Sequence, residues 1–251
     1  MSFHKLLIAS LLMVSASTAW ADGVTTPAAG PLVSATMTNF YDYKTGFRFQ
    51  DEFFSGNVTV GSVGNLGWSV GGGVATTAPL SEANHPGIIQ RSTGSTAGQF
   101  AYLLLPFTQG NLLAGTLDMT FIVRLNTNDS DTTTRIGAMY LINTTPTDGL
   151  YFEKLAADTN WFYVTRAAST QTGSRTDTGI AVSTGWITMR IVRTDDTSVA
   201  FYLNGTLIGT QTANIPTAQG TSPGLQIVNA ANAIKTIDID YFEMIRTGMT
   251  R

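Results

Sequence analysis

The stretch 186–209 constrains the fold most, because two alternating runs stand close together and the second ends in Asn204-Gly205. In the first run Ile187, Met189 and Ile191 alternate with Thr188 and Arg190; in the second Val199, Phe201 and Leu203 recur at every other position. Residues at i and i+2 share one face of a strand, so these runs have an apolar face and a second face of different character. Asn-Gly accepts φ > 0 at both central positions of a type I′ turn, whose twist matches paired strands. The chain is therefore expected to return through residues 206–210, and the block predicts antiparallel β structure.

The same alternation recurs along the chain with no helical pattern of any length between. Its best example is Leu117-Asp-Met-Thr-Phe-Ile-Val-Arg-Leu125, where Leu117, Met119, Phe121, Val123 and Leu125 fall on one face. Further strands are expected within 51–54, 68–70, 87–91, 99–105, 135–142, 149–155, 160–166, 179–182, 224–228 and 235–246, separated by Gly, Asn, Asp, Pro and Thr turns. That many strands without a second linker or a fixed repeat predict one all-β, two-sheet antiparallel β-sandwich, not a propeller or solenoid.

Ahead of the strands, Lys5 precedes an apolar run that ends near Ala19-Trp-Ala21, the pattern of a secretory signal peptide and too short for a comfortable membrane span. The expected organisation is a leader over 1–21, an arm or linker over 22–50 that can add an edge strand, and a single sandwich over 51–251. The protein is thus expected to be secreted, extracellular or periplasmic, with no membrane span after cleavage. Cysteine is absent, so the core must hold the exported chain together without disulfides, and thiolate chemistry is excluded. The formal net charge of −3 becomes one unit more negative when Lys5 leaves, which argues against a nucleic-acid partner. Of two histidines His4 lies in the leader, so a Ser-His-Asp triad could be built only around His85.

Several segments, in order, resemble the concanavalin A-like lectin/glucanase jelly roll, in particular the branch found in phage structural and tail-fibre proteins and in exported bacterial proteins. They include Asp51-Glu-Phe-Phe-Ser-Gly56, Gly64-Asn-Leu-Gly-Trp-Ser69, Asn84-His-Pro-Gly-Ile88, Gly149-Leu-Tyr-Phe-Glu153, Asn160-Trp-Phe-Tyr-Val-Thr-Arg166, Phe201-Tyr-Leu-Asn-Gly-Thr-Leu-Ile208, Asn214-Ile-Pro-Thr217 and Ile237-Asp-Ile-Asp-Tyr-Phe242. The resemblance spans roughly residues 51–246. It implies a jelly-roll sandwich whose relatives serve as lectins, adhesion modules, glycan-cleaving enzymes or coat components.

Asp238-Ile-Asp240-Tyr-Phe-Glu243 resembles the Glu-x-Asp-x-(x)-Glu strand of family-16 glycoside hydrolases. That resemblance would make Asp238 the nucleophile, Asp240 the helper and Glu243 the acid/base of a retaining reaction. The sequence departs from it in having Asp first and in placing the motif in the final strand. In a regular strand Asp238 and Glu243 also point to opposite faces unless a bulge intervenes, and the switch of apolar phase at Phe242 and Met244 suggests one. The plainer expectation is a solvated strand face, with Ile237, Ile239 and Tyr241 inward and Asp238 and Asp240 toward water.

Two other groups can carry binding. Asn126, Asn128, Asp129 and Asp131 place hard oxygen donors in one loop, a pattern that suits calcium and also an ordinary Asn/Asp-rich turn. Trp161 and Tyr163 share one face of their strand; with Phe162 and Val164 as core they would form an exposed platform on which sugar rings stack. Trp68 and Trp186 are expected in the core and His85 in a turn. The leading functional expectation is a secreted, non-enzymatic module that binds a polysaccharide or cell-surface glycan, or that joins copies of itself or other subunits in a cell-surface or virion-like assembly. The alternative is a glycan hydrolase using Asp238 and Glu243.

Overall fold

The computed structural model of the chain describes residues 46–54, 62–106, 115–126, 130–140, 145–217 and 220–248. These form β strands, turns and bends only. In chain order the strands are β1 (Gly46–Asp51), β2 (Ser62–Val63), β3 (Trp68–Gly72), β4 (Val74–Glu82), β5 (His85–Ser92), β6 (Phe100–Leu104), β7 (Thr116–Leu125) and β8 (Thr132–Tyr140). They continue as β9 (Asp148–Lys154), β10 (Asn160–Arg166), β11 (Arg175–Ala181), β12 (Ile187–Asp195), β13 (Ser198–Leu203), β14 (Thr206–Gln211), β15 (Ser222–Asn229) and β16 (Thr236–Thr247).

Two antiparallel sheets result. The first runs β14-β13-β12-β7-β16-β5-β4, with β1 also paired to β16; the second runs β11-β10-β9-β8-β15-β6-β3-β2. The expected hairpin closes β13 on β14 with Asn204 at φ 48° and Gly205 at φ 79°. Asn204 does more than turn the chain: its Oδ1 accepts from Thr188 N and its own N–H donates to Thr188 O, pinning the turn to β12.

The alternation sets the core. Leu117, Met119, Phe121, Val123 and Leu125 of β7, Ile187, Met189 and Ile191 of β12, and Val199, Phe201 and Leu203 of β13 all point between the sheets. From the second sheet Leu103, Ile136, Leu150, Phe152, Leu225 and Ile227 meet them. Each such side chain contributes about 1.5–3 kcal/mol by leaving water, which is how a cysteine-free chain stays folded.

One corner joins two of the segments that carry the family resemblance. Asp51 is buried, and its carboxylate accepts from Phe53 N (2.8 Å), Leu66 N (3.0 Å) and Trp68 Nε1 (3.0 Å). Burial pushes the Asp51 carboxyl above its usual range while these donors pull it back. Gly64, at φ 71°, has to be glycine, since a Cβ there would sit 2.6 Å from Asp51 Oδ2. Trp68 then packs edge-on to Phe242 at 4.8 Å, in the core where it was expected.

Strand β1 begins ahead of the boundary placed at residue 51 and packs Phe47 and Phe49 against the core. No helix among the described residues is long and apolar enough to cross a membrane.

Candidate functional site

The last strand of the fold carries an irregularity on which the site depends. Along β16 the pairing with β7 is regular from Ile237 to Ile239, then shifts, so that Tyr241 and not Asp240 lies opposite Ile122. Asp240 is the extra residue of a β-bulge, as the phase switch at Phe242 and Met244 suggests. Ile237 and Ile239 point into the core before the bulge, and Phe242 and Met244 do so after it. Tyr241, expected inward, is therefore displaced from the core, and Asp238 and Glu243 come to share the outer face of the first sheet.

Above this strand the β4–β5 hairpin leaves the sheet. Strand β5 pairs with β16 only as far as Ile89 opposite Ile239, and β1 takes over the same edge of β16 from Phe242 onward. The hairpin must clear the incoming chain, and it passes so close at Gly87 that a Cβ would lie 2.0 Å from Glu52 O. Its turn at Ala83-Asn84, with Asn84 at φ 69°, carries Glu82 and His85 over the outer face.

There they meet Arg124 of β7, Asp238 and Asp240 of β16, and Trp186, the residue just ahead of β12. His85 Nδ1 lies 2.8 Å from Asp240 Oδ2, and the imidazole stacks on the Trp186 indole with centroids 4.2 Å apart. Glu82 accepts from Trp186 Nε1 and from Arg124 Nη1, the latter at 3.0 Å to each carboxylate oxygen. Arg124 also lies 4.6 Å from the Trp186 ring centroid and donates from Nε and Nη2 to Asp238 Oδ2 at 2.9 and 2.8 Å. The Trp186 N–H, with Arg124 adding, holds the Glu82 carboxyl below its usual pKa. Trp186 thus stands half-buried with its indole fixed by an acceptor, a stacked ring and a cation.

Trp186 was expected in the core, yet strand alternation puts it outside: Ile187, Met189 and Ile191 point inward, so 186, 188 and 190 point out. The signal was in the sequence. His85 likewise opens β5 after the turn and does not lie within it.

The expected platform of Trp161 and Tyr163 is corrected. They are 1% and 7% exposed, and Tyr163 lies 5.1 Å from Phe201 inside the core. Both phases of this strand are apolar, and the larger pair fills the space between the sheets. Gly209 makes room for Tyr163, whose hydroxyl would lie 2.2 Å from a Cβ at that position. Outside, Phe162 is covered by the Arg175 guanidinium 3.6 Å above it, and Val164 packs with Met139 and Tyr151.

The hydrolase arrangement is not formed either. Asp238 and Glu243 lie opposite Arg124 and Thr120 of β7, four residues apart, which puts their backbones about 13 Å from each other at ~3.3 Å per residue. Retaining pairs stand ~5 Å apart and inverting pairs ~6.5–9.5 Å. Their partners hold them in place: Asp238 is 0% exposed and takes Gln90 Nε2 and Asn126 Nδ2, each at 2.9 Å, besides Arg124, while Glu243 is bound by Arg48. The expectation that Asp238 faces water fails for the same reason, and Asp240 is buried against His85.

Of the four calcium candidates, Asn128 and Asp129 lie outside the described residues. Asn126 donates its side-chain amide to Asp238, and Asp131 lies 3.5 Å from Ser130 Oγ. Among the described residues no three or more His, Cys, Asp or Glu side chains form a group able to hold a metal ion.

The whole arrangement sits on a known architecture. The chain is similar to a protein of unknown function, SO2946, from Shewanella oneidensis MR-1, with TM-score 0.63, 19% identity, and 91% of this chain and 98% of that one covered. It is similar also to the carbohydrate recognition domain of Emp47p, with TM-score 0.55, 16% identity and 80% and 95% covered. A third likeness is the CBM2 module of the evolved Dit of Lactobacillus casei BL23 phage J-1, with TM-score 0.50, 13% identity and 82% and 98% covered. No curated protein matches the sequence. These neighbours give the chain the lectin-type, concanavalin A-like jelly-roll fold that its segments resemble. A family model, SO2946-like, C-terminal domain, matches residues 84–240, from the turn ahead of His85 to the bulged Asp240, and the chain belongs to that family.

Proposed function

We propose that the protein is a secreted, non-catalytic carbohydrate-binding sandwich that takes a polysaccharide or cell-surface glycan on the outer face of its first sheet, at Trp186. The observation that carries this reading is the half-buried Trp186 indole, ordered by Glu82, His85 and Arg124, whose remaining exposed part stands among oriented polar groups. Sugar rings present C–H faces to aromatic rings and hydroxyls to carboxylates, amides and guanidiniums. A ring already held by Glu82, His85 and Arg124 gives up little freedom when it is contacted. The likeness to the Emp47p carbohydrate recognition domain supports this use of the fold, and the signal-peptide pattern expected over 1–21 is in keeping with an extracellular target.

Affinity electrophoresis against a panel of soluble polysaccharides tests the proposal, run with and without calcium. Retardation by at least one polymer, lost in Trp186→Ala with an unchanged circular dichroism spectrum, is the expected result. Retardation that Trp186→Ala leaves intact would place the site elsewhere, and release of oligosaccharides by the wild type would restore the hydrolase alternative.

A further inference from the structure

We infer that the glycan bound at this face is a neutral, hydroxyl-rich polymer, and that the face discriminates against uronate and sulfate groups. The inference rests on the glycan-binding reading and deepens it. Its basis is that, among the described residues, each arginine on the outer face of the first sheet is already committed to a carboxylate. Arg190 gives Nε and Nη2 to the two carboxylate oxygens of Asp118, at 2.8 and 2.6 Å. Arg124 is shared between the buried Asp238 and Glu82. Arg48 holds Glu243, and His85 holds Asp240.

Five carboxylates therefore face three guanidiniums and one imidazole, and each of these groups has a carboxylate partner. A ligand carboxylate or sulfate would have to displace one of those partners, uncovering an acid beside it, or enter a field of net negative sign. A hydroxyl faces neither penalty, since it donates to a carboxylate oxygen and accepts from a guanidinium N–H already in place. Aromatic groups continue beyond Trp186: the Arg190 guanidinium lies 5.1 Å from the Tyr202 ring centroid, so the face can contact several sugar units.

The test sets neutral polymers (mixed-linkage β-glucan, xyloglucan, galactomannan, dextran) against acidic ones (polygalacturonate, alginate, chondroitin sulfate) by affinity electrophoresis at 20 and 300 mM salt. The inference predicts retardation by a neutral polymer that varies less than twofold with salt. It predicts acidic polymers at least tenfold weaker at low salt, with that gap narrowing as salt screens the face. It also predicts that Asp118→Asn, which releases Arg190 at a half-exposed position, gains salt-sensitive binding to polygalacturonate. Tight binding of an acidic polymer by the wild type would overturn the inference and leave the glycan-binding reading standing. Binding to no polymer of either kind would overturn both.

Discussion

The outer faces of the two sheets are built from the same materials and differ in their access to water. On the second sheet, Glu153 takes Arg135 Nε at 2.8 Å and Arg175 Nε at 2.7 Å, Arg135 continues to Gln226 at 2.8 Å, and Arg175 reaches Asp158. Beside them Met139, Tyr151 and Val164 form a small apolar cluster, and Glu153 is only 1% exposed. On the first sheet the pairs Arg190–Asp118, Arg124–Glu82 and Arg48–Glu243 stand partly in water, the second of them against Trp186. Ion pairs and aromatics therefore do not by themselves mark a binding site. What separates the faces is that the Glu153–Arg135 pair of one is buried, whereas the ion pairs of the other stand partly in water beside a half-buried, ordered indole.

Substitutions that remove one member of a pair should expose this difference. Glu153→Ala leaves Arg135 and Arg175 without their shared carboxylate in a dry setting and should cost about 3–5 kcal/mol in urea unfolding. The same truncation of Asp118 on the first sheet should cost less than about 1 kcal/mol, because water solvates the released Arg190. Equal losses at the two positions would erase the contrast.

Tyr151 offers a second probe of the closed face. Burial, helped by the Glu153 carboxylate and opposed in part by Arg135 and Arg166, pushes its hydroxyl pKa up to about 12 from 10.0. The neutral phenol is thus favoured in the folded state. Its contribution to stability is fully present below pH 10 and is lost as pH rises toward 12. Absorbance titration of tyrosinate should show one late-ionising residue missing from Tyr151→Phe, and that variant should resist alkaline unfolding better than the wild type. The substitution removes only the hydroxyl and its contact with Arg166, and should change stability at pH 7 by about 1 kcal/mol or less.

The open face should respond to acid instead. With the Glu82 carboxyl held below its ordinary 4.5, the Glu82–Trp186 contact should persist at pH 4.5 and break only at lower pH. The difference in tryptophan fluorescence between the wild type and Trp186→Phe reads this directly. A change centred at or above pH 4.5 would mean that the hairpin tip is not held as described.

Much of this contrast lay beyond the reach of periodicity. The inward rows of β7, β12 and β13 and the Asn204-Gly205 turn were legible because one face of each strand is apolar and Asn-Gly suits only a few turns. The bulge in β16 was legible as a phase switch. Strand β4 was not: Val74-Ala-Thr-Thr-Ala-Pro-Leu-Ser-Glu82 has no clean alternation, and its pairing with β5 shifts register three times. At Trp161 and Tyr163 the phase was ambiguous because both faces of the strand are apolar. Trp186 carried a usable signal in its phase relative to Ile187. The partners that make it a site, Glu82 and His85, arrive from a hairpin displaced by β1, and no local pattern announces that crossing.

The central claim is that the open face, and not the closed one, meets the ligand. Isothermal titration with the best neutral polysaccharide from the panel should compare Trp186→Ala, on the first sheet, with Phe162→Ala, on the second. Binding should be lost in Trp186→Ala and retained within about twofold in Phe162→Ala. Loss in Phe162→Ala with binding intact in Trp186→Ala would contradict it.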